Sequence, residues 1–156
     1  MVVLAVLLAV GAGTIGGVFF AFSTFIMLAL ADLRPAAGIM AMQRINAVIL
    51  NPLFLGVFIG TALLSLAAMV LYAMRTQDSA AGWLLAAALV YLVGSFAVTM
   101  RCNVPRNERL ARLNADTAEA AAYWPTYVRE WTAWNHVRTC ACLAAAVCAV
   151  MATASN

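Results

Sequence analysis

The one histidine of the chain, His136, stands in the run Trp131-Thr132-Ala133-Trp134-Asn135-His136-Val137-Arg138, directly before the last apolar stretch. Imidazole gains and loses a proton near neutral pH, which makes it the natural general base of such a run. Arg138 brings a cation that can hold a developing oxyanion, and the Asn135 amide both donates and accepts hydrogen bonds. His136, Asn135 and Arg138 are therefore the candidate catalytic groups. The stretch that follows, Thr139 to Ala154, has 16 residues, short of the roughly 20 a helix needs to cross a bilayer. A spanning helix must recruit residues on its N-terminal side, which draws Asn135, His136 and Arg138 to the membrane boundary or just inside it. Ionisable groups placed there cost free energy and are functional candidates by default. At about 100° per residue, Trp131, Thr132, Asn135, His136, Arg138 and Thr139 spread over an arc of roughly 160°. Asn135 falls near its centre, with His136 and Arg138 at opposite edges. Trp131 then reads as a pocket wall and Trp134 as an interfacial anchor. His136 acts as a base only where a neighbouring span brings substrate to its edge.

The rest of the chain must position that run. Of 156 residues, 66% are hydrophobic and only 10% charged, against roughly 25% charge in a soluble domain. This is the composition of an integral membrane protein, and the length suits a single domain over residues 1–156. The net charge of +3 comes with nine cations, all arginine, and no basic patch interleaved with exposed aromatics. Nucleic acid is set aside as a partner. The N-terminus lacks a basic n-region and runs without a charge to Ala31, so it reads as a retained first span rather than a signal peptide. Cys102, Cys140, Cys142 and Cys148 contain no C-x-x-C pair, and a disulfide framework is not expected.

Hydrophobic runs predict an all-α, four-helix transmembrane bundle with spans at about 2–30, 45–74, 83–100 and 131–154. Gly13 and Gly17, with Gly16 beside them, offer a small-residue face for a neighbouring helix. Self-association as a homo-oligomer is admitted but not dictated. Eight of the nine arginines fall after spans one and three, counting Arg138 just inside span four with the third connection, and only Arg75 lies in the second. The positive-inside bias makes the first and third loops cytoplasmic, with a bacterial inner membrane as the expected location. Within the long third connection, Asp116-Thr117-Ala118-Glu119 predicts a helix start capped by Asp116. Pro125 predicts a bend after Trp124, which leaves a short interfacial helix between spans three and four. Tyr123, Trp124 and Tyr127 are expected at headgroup level as an aromatic belt.

This topology gathers polar groups at one end: Asn46 and Asn51-Pro52 at the start of span two, Thr99, Arg101, Asn103 and Asn107 at the end of span three, and the Trp131–Arg138 run. Ser23, Thr24 and several phenylalanines close span one. A polar cup with an apolar floor is expected. Asn46, Asn51, Arg101, Asn103, Asn107, Trp124 and Trp131 are its candidate substrate-binding residues. Pro52 inside a span would deprive the Val48 carbonyl of its helical partner, so that a neighbour must satisfy it and the kink widens the cup. One histidine and no carboxylate within a span is a poor set for a zinc or di-iron centre, and no cofactor is expected. A proton-coupled exporter would embed a carboxylate in a span, and none is present.

Five stretches carry a resemblance. Gly17-Val18-Phe19-Phe20-Ala21-Phe22-Ser23, Gln43-x-Ile45-Asn46, Asn51-Pro52, Asn103-Val104-Pro105-x-Asn107 and Trp131-x-x-Trp134-Asn135-His136-x-Arg138 resemble the anthrone oxygenase-like family of small four-helix membrane proteins. The resemblance implies oxidation of anthrones to anthraquinones by molecular oxygen with no evident cofactor, the activity associated with fungal relatives. The expected partners are a small hydrophobic aromatic substrate of anthrone or quinol type, O2 and the lipid bilayer. On that reading His136 removes the acidic proton, while Arg138, Arg101 or an asparagine amide steadies the oxyanion. The alternative is a non-enzymatic protein that holds a lipophilic ligand or a partner subunit in the same cup.

Overall fold

The computed structural model describes residues 1–75 and 78–155. These form five helices: α1 (Val2–Ala31), α2 (Pro35–Val48), α3 (Pro52–Met74), α4 (Ser79–Ala111) and α5 (Ala118–Ala154). All but α2 are long and apolar enough to cross a membrane, so the expected four-span all-helical bundle is present. Each span buries one stripe and leaves large apolar side chains outside, such as Val3 (73% exposed), Leu53 (79%) and Val147 (61%). Such exposure suits lipid as the surrounding solvent.

Local chemistry sets the helix boundaries. Pro35 and Pro52 each occupy the first turn of their helix, where the missing N–H has no helical partner to lose. Asn51 caps α3 by accepting from the Phe54 N–H (3.0 Å), and its own amide donates to the Val48 carbonyl (3.1 Å). The expectation of one span from residue 45 through a kinked Pro52 is thereby corrected. Val48 does lose its helical partner, but Asn51 replaces it, the helix ends, and a new one starts. Asp78 caps α4 through the N–H groups of Ala80 and Ala81 (2.9 and 3.4 Å). Thr117, not Asp116, caps α5 by accepting from Ala120 N–H (3.3 Å).

Pro125 lies inside α5 without ending it, so the expected interfacial helix is continuous with span four. Pro125 itself is exposed, whereas Trp124 and Tyr127 are buried (3% and 0%). Packing of the opposite face holds the helix through the one backbone bond the proline cannot make. For the same reason Tyr123, Trp124 and Tyr127 form no outward belt: they pack inward with Met27, Ile39, Met42 and Leu110.

The fifth helix is the axis of the bundle. Its buried face, from Trp131 through Asn135, Arg138, Thr139, Cys142, Ala145, Ala149 and Ala152, follows the three- and four-residue spacing of one helical stripe. Small residues set the approach distances. A Cβ on Gly16 would lie 3.1 Å from Cys142 Cβ, and one on Gly94 would lie 2.5 Å from Ala141 Cβ. Gly13 and Gly17, by contrast, meet nothing within 4 Å. Of the small-residue face expected to seat a neighbouring span, Gly16 does so, joined by Gly11, whereas Gly13 and Gly17 have no neighbour. α4 passes through a π-helical segment in mid-helix at Val90–Ala97, and toward the end that holds the arginine-rich connections α1 and α4 have further π-helical turns at Phe22–Ile26 and Thr99–Asn103. Wide turns of this kind recur at functional sites.

Candidate functional site

A cavity of about 450 Å³ opens at that end, between the second half of α1, the C-terminal half of α2, the start of α3, the end of α4 and the middle of α5. Its walls are largely apolar and carry five aromatic rings: Phe19 and Phe22 from α1, Phe54 and Phe58 from α3, and Trp131 from α5. Phe22 and Trp131 meet at 5.5 Å between ring centroids, and Phe54 stacks on Phe58 at 6.0 Å. Its size falls in the ordinary range of small-molecule sites.

Arg138 is the cation of this cavity, and it is only 4% exposed. Its guanidinium donates to Asn135 Oδ1 (2.6 Å) and Thr99 Oγ1 (3.2 Å). The guanidinium carbon lies 4.1 Å from the centroid of the Phe19 ring and 5.1 Å from that of Trp131. Among the described residues the ion pairs are Arg106–Glu130 and Arg112–Glu108, so no carboxylate neutralises Arg138. Desolvating an ion costs several kcal/mol even after relaxation, and hydrogen bonds to neutral groups and ring faces offset only part of that. The arrangement asks for an anion.

Asn135 positions the guanidinium. It is fully buried, and its Nδ2 donates to the Phe19 carbonyl and to Ser23 Oγ, both at 2.7 Å, which orients Oδ1 toward Arg138. Thr99 is oriented in turn by donating to the Ser95 carbonyl (2.8 Å). Three further donors in cavity-lining residues are buried without an acceptor: Asn46 Nδ2, Trp131 Nε1 and Arg138 Nε. Buried donors left open in this way call for an explanation, and a ligand with oxygen acceptors is one. Farther out, Gln43 donates to the carbonyls of Leu110 (2.8 Å) and Leu113 (3.0 Å), tying α2 to the end of α4. The Arg106–Glu130 pair (2.9 Å) ties α4 to α5.

The predicted site residues divide under this geometry. Arg138, Trp131, Asn46 and Asn107 line the cavity, and Asn135 stands directly behind Arg138. The structure brings His136 to no such place: it is exposed on the outer side of α5 and is not among the lining residues. Asn51 is an exposed helix cap and Arg101 is exposed. Asn103 is buried but spends its amide on the Trp131 carbonyl (3.1 Å). Trp124 stacks on Tyr127 (5.6 Å) away from the cavity. Asn107 accepts from the Tyr127 hydroxyl (2.9 Å).

Sequence reasoning missed Glu108, a carboxylate on the cavity rim, and the pair Phe54 and Phe58. The four-residue spacing of the two phenylalanines just after Asn51-Pro52 was the available signal. Among the described residues, no group of three or more His, Cys, Asp or Glu side chains lies close enough together to hold a metal ion.

Comparison with known proteins supplies one match. The model of the anthrone oxygenase family matches residues 54–148, well over half of the chain, and includes the Asn103–Asn107 and Trp131–Arg138 stretches. No curated protein and no solved structure matches the chain significantly. With four apolar helices around an aromatic cavity and a family match that runs through its α3, α4 and α5 walls, the chain belongs to the anthrone oxygenase family.

Proposed function

We propose that this protein is a membrane-embedded oxygenase. It oxidises a flat, enolisable aromatic of anthrone or quinol type with O2 and no cofactor of its own. The observation that carries the reading is the buried Arg138 guanidinium, unpaired by any carboxylate, on the wall of an aromatic cavity. An enolate or phenolate oxygen on that guanidinium supplies the missing negative charge, and the charge in turn lowers the cost of ionising the substrate.

For an anthrone the steps balance as follows. A C–H proton at the methylene leaves to a base, and the electron pair becomes the enolate held by Arg138. The enolate passes electrons to O2, a carbon–oxygen bond forms at the former methylene, and the peroxide takes up a proton. Loss of the second C–H proton with cleavage of the O–O bond leaves a ketone and water. One O2 is consumed per anthrone. Glu108 on the rim is the acceptor for the first proton, in place of the outward-facing His136. Phe19, Phe22, Phe54, Phe58 and Trp131 hold the rings. The seven arginines at the cavity end other than the buried Arg138 are the reason to place that end on the cytoplasmic face of a bacterial inner membrane.

The test is oxygen uptake by purified protein in vesicles on addition of anthrone, with the product identified by mass. Uptake above the autoxidation seen in protein-free vesicles, at one O2 per anthraquinone formed, is expected. Uptake no faster than autoxidation refutes the activity. A stoichiometric metal whose removal abolishes turnover refutes the cofactor-free chemistry.

A further inference from the structure

The two ends of the cavity differ in chemistry. Toward the α4–α5 connection, the Gln43 amide bonds to the Leu110 and Leu113 carbonyls stitch α2 to α4. The Leu110 carbonyl already accepts from the Leu113 N–H (3.2 Å), so the Gln43 amide adds a second bond there and a partner for the Leu113 carbonyl. At the other end, the lining residues Ala47, Leu50 and Met100 are also exposed, Leu50 by 65% and Met100 by 50%. A side chain that both lines a cavity and meets the outside marks an opening; Glu108 and Ala111 do so nearer the seam, but the opening at Ala47, Leu50 and Met100 is wholly apolar, and we call it the mouth.

The mouth also lies farther into the membrane than the seam. Met100 precedes Leu110 by ten residues on α4, about 15 Å at 1.5 Å per residue. A hydrocarbon core of roughly 20 residues counted from Ser79 ends next to Thr99 and Met100. The opening is thus level with the boundary between acyl chains and headgroups, and so is Arg138, through its bond to Thr99. Between the seam and the mouth, the lining side chain Glu108 is exposed. It stands 4.0 Å from Arg112, so this side of the cavity is polar and charged where the mouth is not.

We infer that the cavity is loaded sideways from the bilayer, through the Leu50–Met100 mouth, by a flat anionic aromatic whose apolar substituent stays in the lipid. This rests on the assignment of Arg138 as the anion-holding group. The ligand class is narrower than any planar phenol or ketone. An apolar chain opposite the acidic oxygen is tolerated, because it threads out of the mouth.

The probe is 9-anthracenecarboxylate with a dodecyl chain at ring position 10, inert under the assay and confined to the membrane. The full-length protein is reconstituted in phosphatidylcholine vesicles, and binding is read by energy transfer from tryptophan to anthracene. Saturable binding is expected, displaced by tail-free 9-anthracenecarboxylate. Association should slow at least tenfold in Leu50→Trp and in Ala47→Trp, two exposed positions where added bulk obstructs the mouth without entering the core. Absence of saturable binding of the tailed probe, or wild-type rates in both rim variants, overturns the inference. Binding is read without oxygen uptake. A protein that binds the tailed probe but does not oxidise anthrone keeps lateral loading and loses the oxygenase reading; one that oxidises anthrone but excludes the tailed probe does the reverse.

Discussion

Replacing Arg138 by methionine separates a group kept for chemistry from one kept for stability. The guanidinium is 4% exposed and faces no carboxylate. At about 4 Å and an effective dielectric of about 20, a cation and an enolate oxygen attract by about 4 kcal/mol. At 1.36 kcal/mol per decade this is about a thousandfold in rate, near the upper end of the losses seen when one oxyanion donor is removed. The stability side has the opposite sign. Methionine forfeits the bonds to Asn135 (2.6 Å) and Thr99 (3.2 Å) and leaves Asn135 Oδ1 short of a donor, at about 1–3 kcal/mol for an unsatisfied buried group. It also removes the desolvation of an uncompensated charge, worth several kcal/mol. Arg138→Met should therefore lose oxygen uptake by about two to three orders of magnitude, while its thermal midpoint in vesicles or detergent stays level or rises. Turnover within threefold of wild type would refute the role of Arg138. A large drop in the midpoint that parallels the lost activity would make the arginine structural instead.

His136→Ala should leave oxygen uptake within about twofold of wild type, since the imidazole faces away from the cavity; a loss of a hundredfold, the scale of a lost general base, would restore it to the site. Gly38→Val should destabilise by about 1–3 kcal/mol, because its Cβ would stand 2.6 Å from the Leu30 carbonyl oxygen and 2.8 Å from Trp124 Cζ2; thermal unfolding reads the shift. Asn51→Ala removes the cap of α3 and the partner of the Val48 carbonyl, for a cost of about 1 kcal/mol. Asn51→Ser, which keeps a capping oxygen, should recover most of that in the same unfolding assay.

Much of the architecture was legible because a bilayer reduces the options. Apolar runs long enough to span must be helices, and the shortness of Thr139–Ala154 required the last helix to begin upstream, as it does. The convergence of Asn46, Asn107, Trp131, Asn135 and Arg138 at one end followed from counting spans. The break at Asn51-Pro52 was also local information. Asparagine before proline is a cap followed by a first-turn residue, but within an apolar run the proline reads as a kink, and only the Asn51–Val48 bond settles the matter.

What the sequence by itself determined is which residues share the polar arc of α5, with Asn135 at its centre. It could not determine which edge of that arc is covered. His136 and Arg138 are two residues apart on one helix, and the helix treats their edges alike. Tertiary packing breaks the tie: Phe19 of α1 and Thr99 of α4 close over the Arg138 edge, while the His136 edge remains outside. A long, unpaired guanidinium can be desolvated there because two neutral oxygens and two ring faces hold it. Those partners come from three different helices, so no window of sequence around Arg138 contains them all.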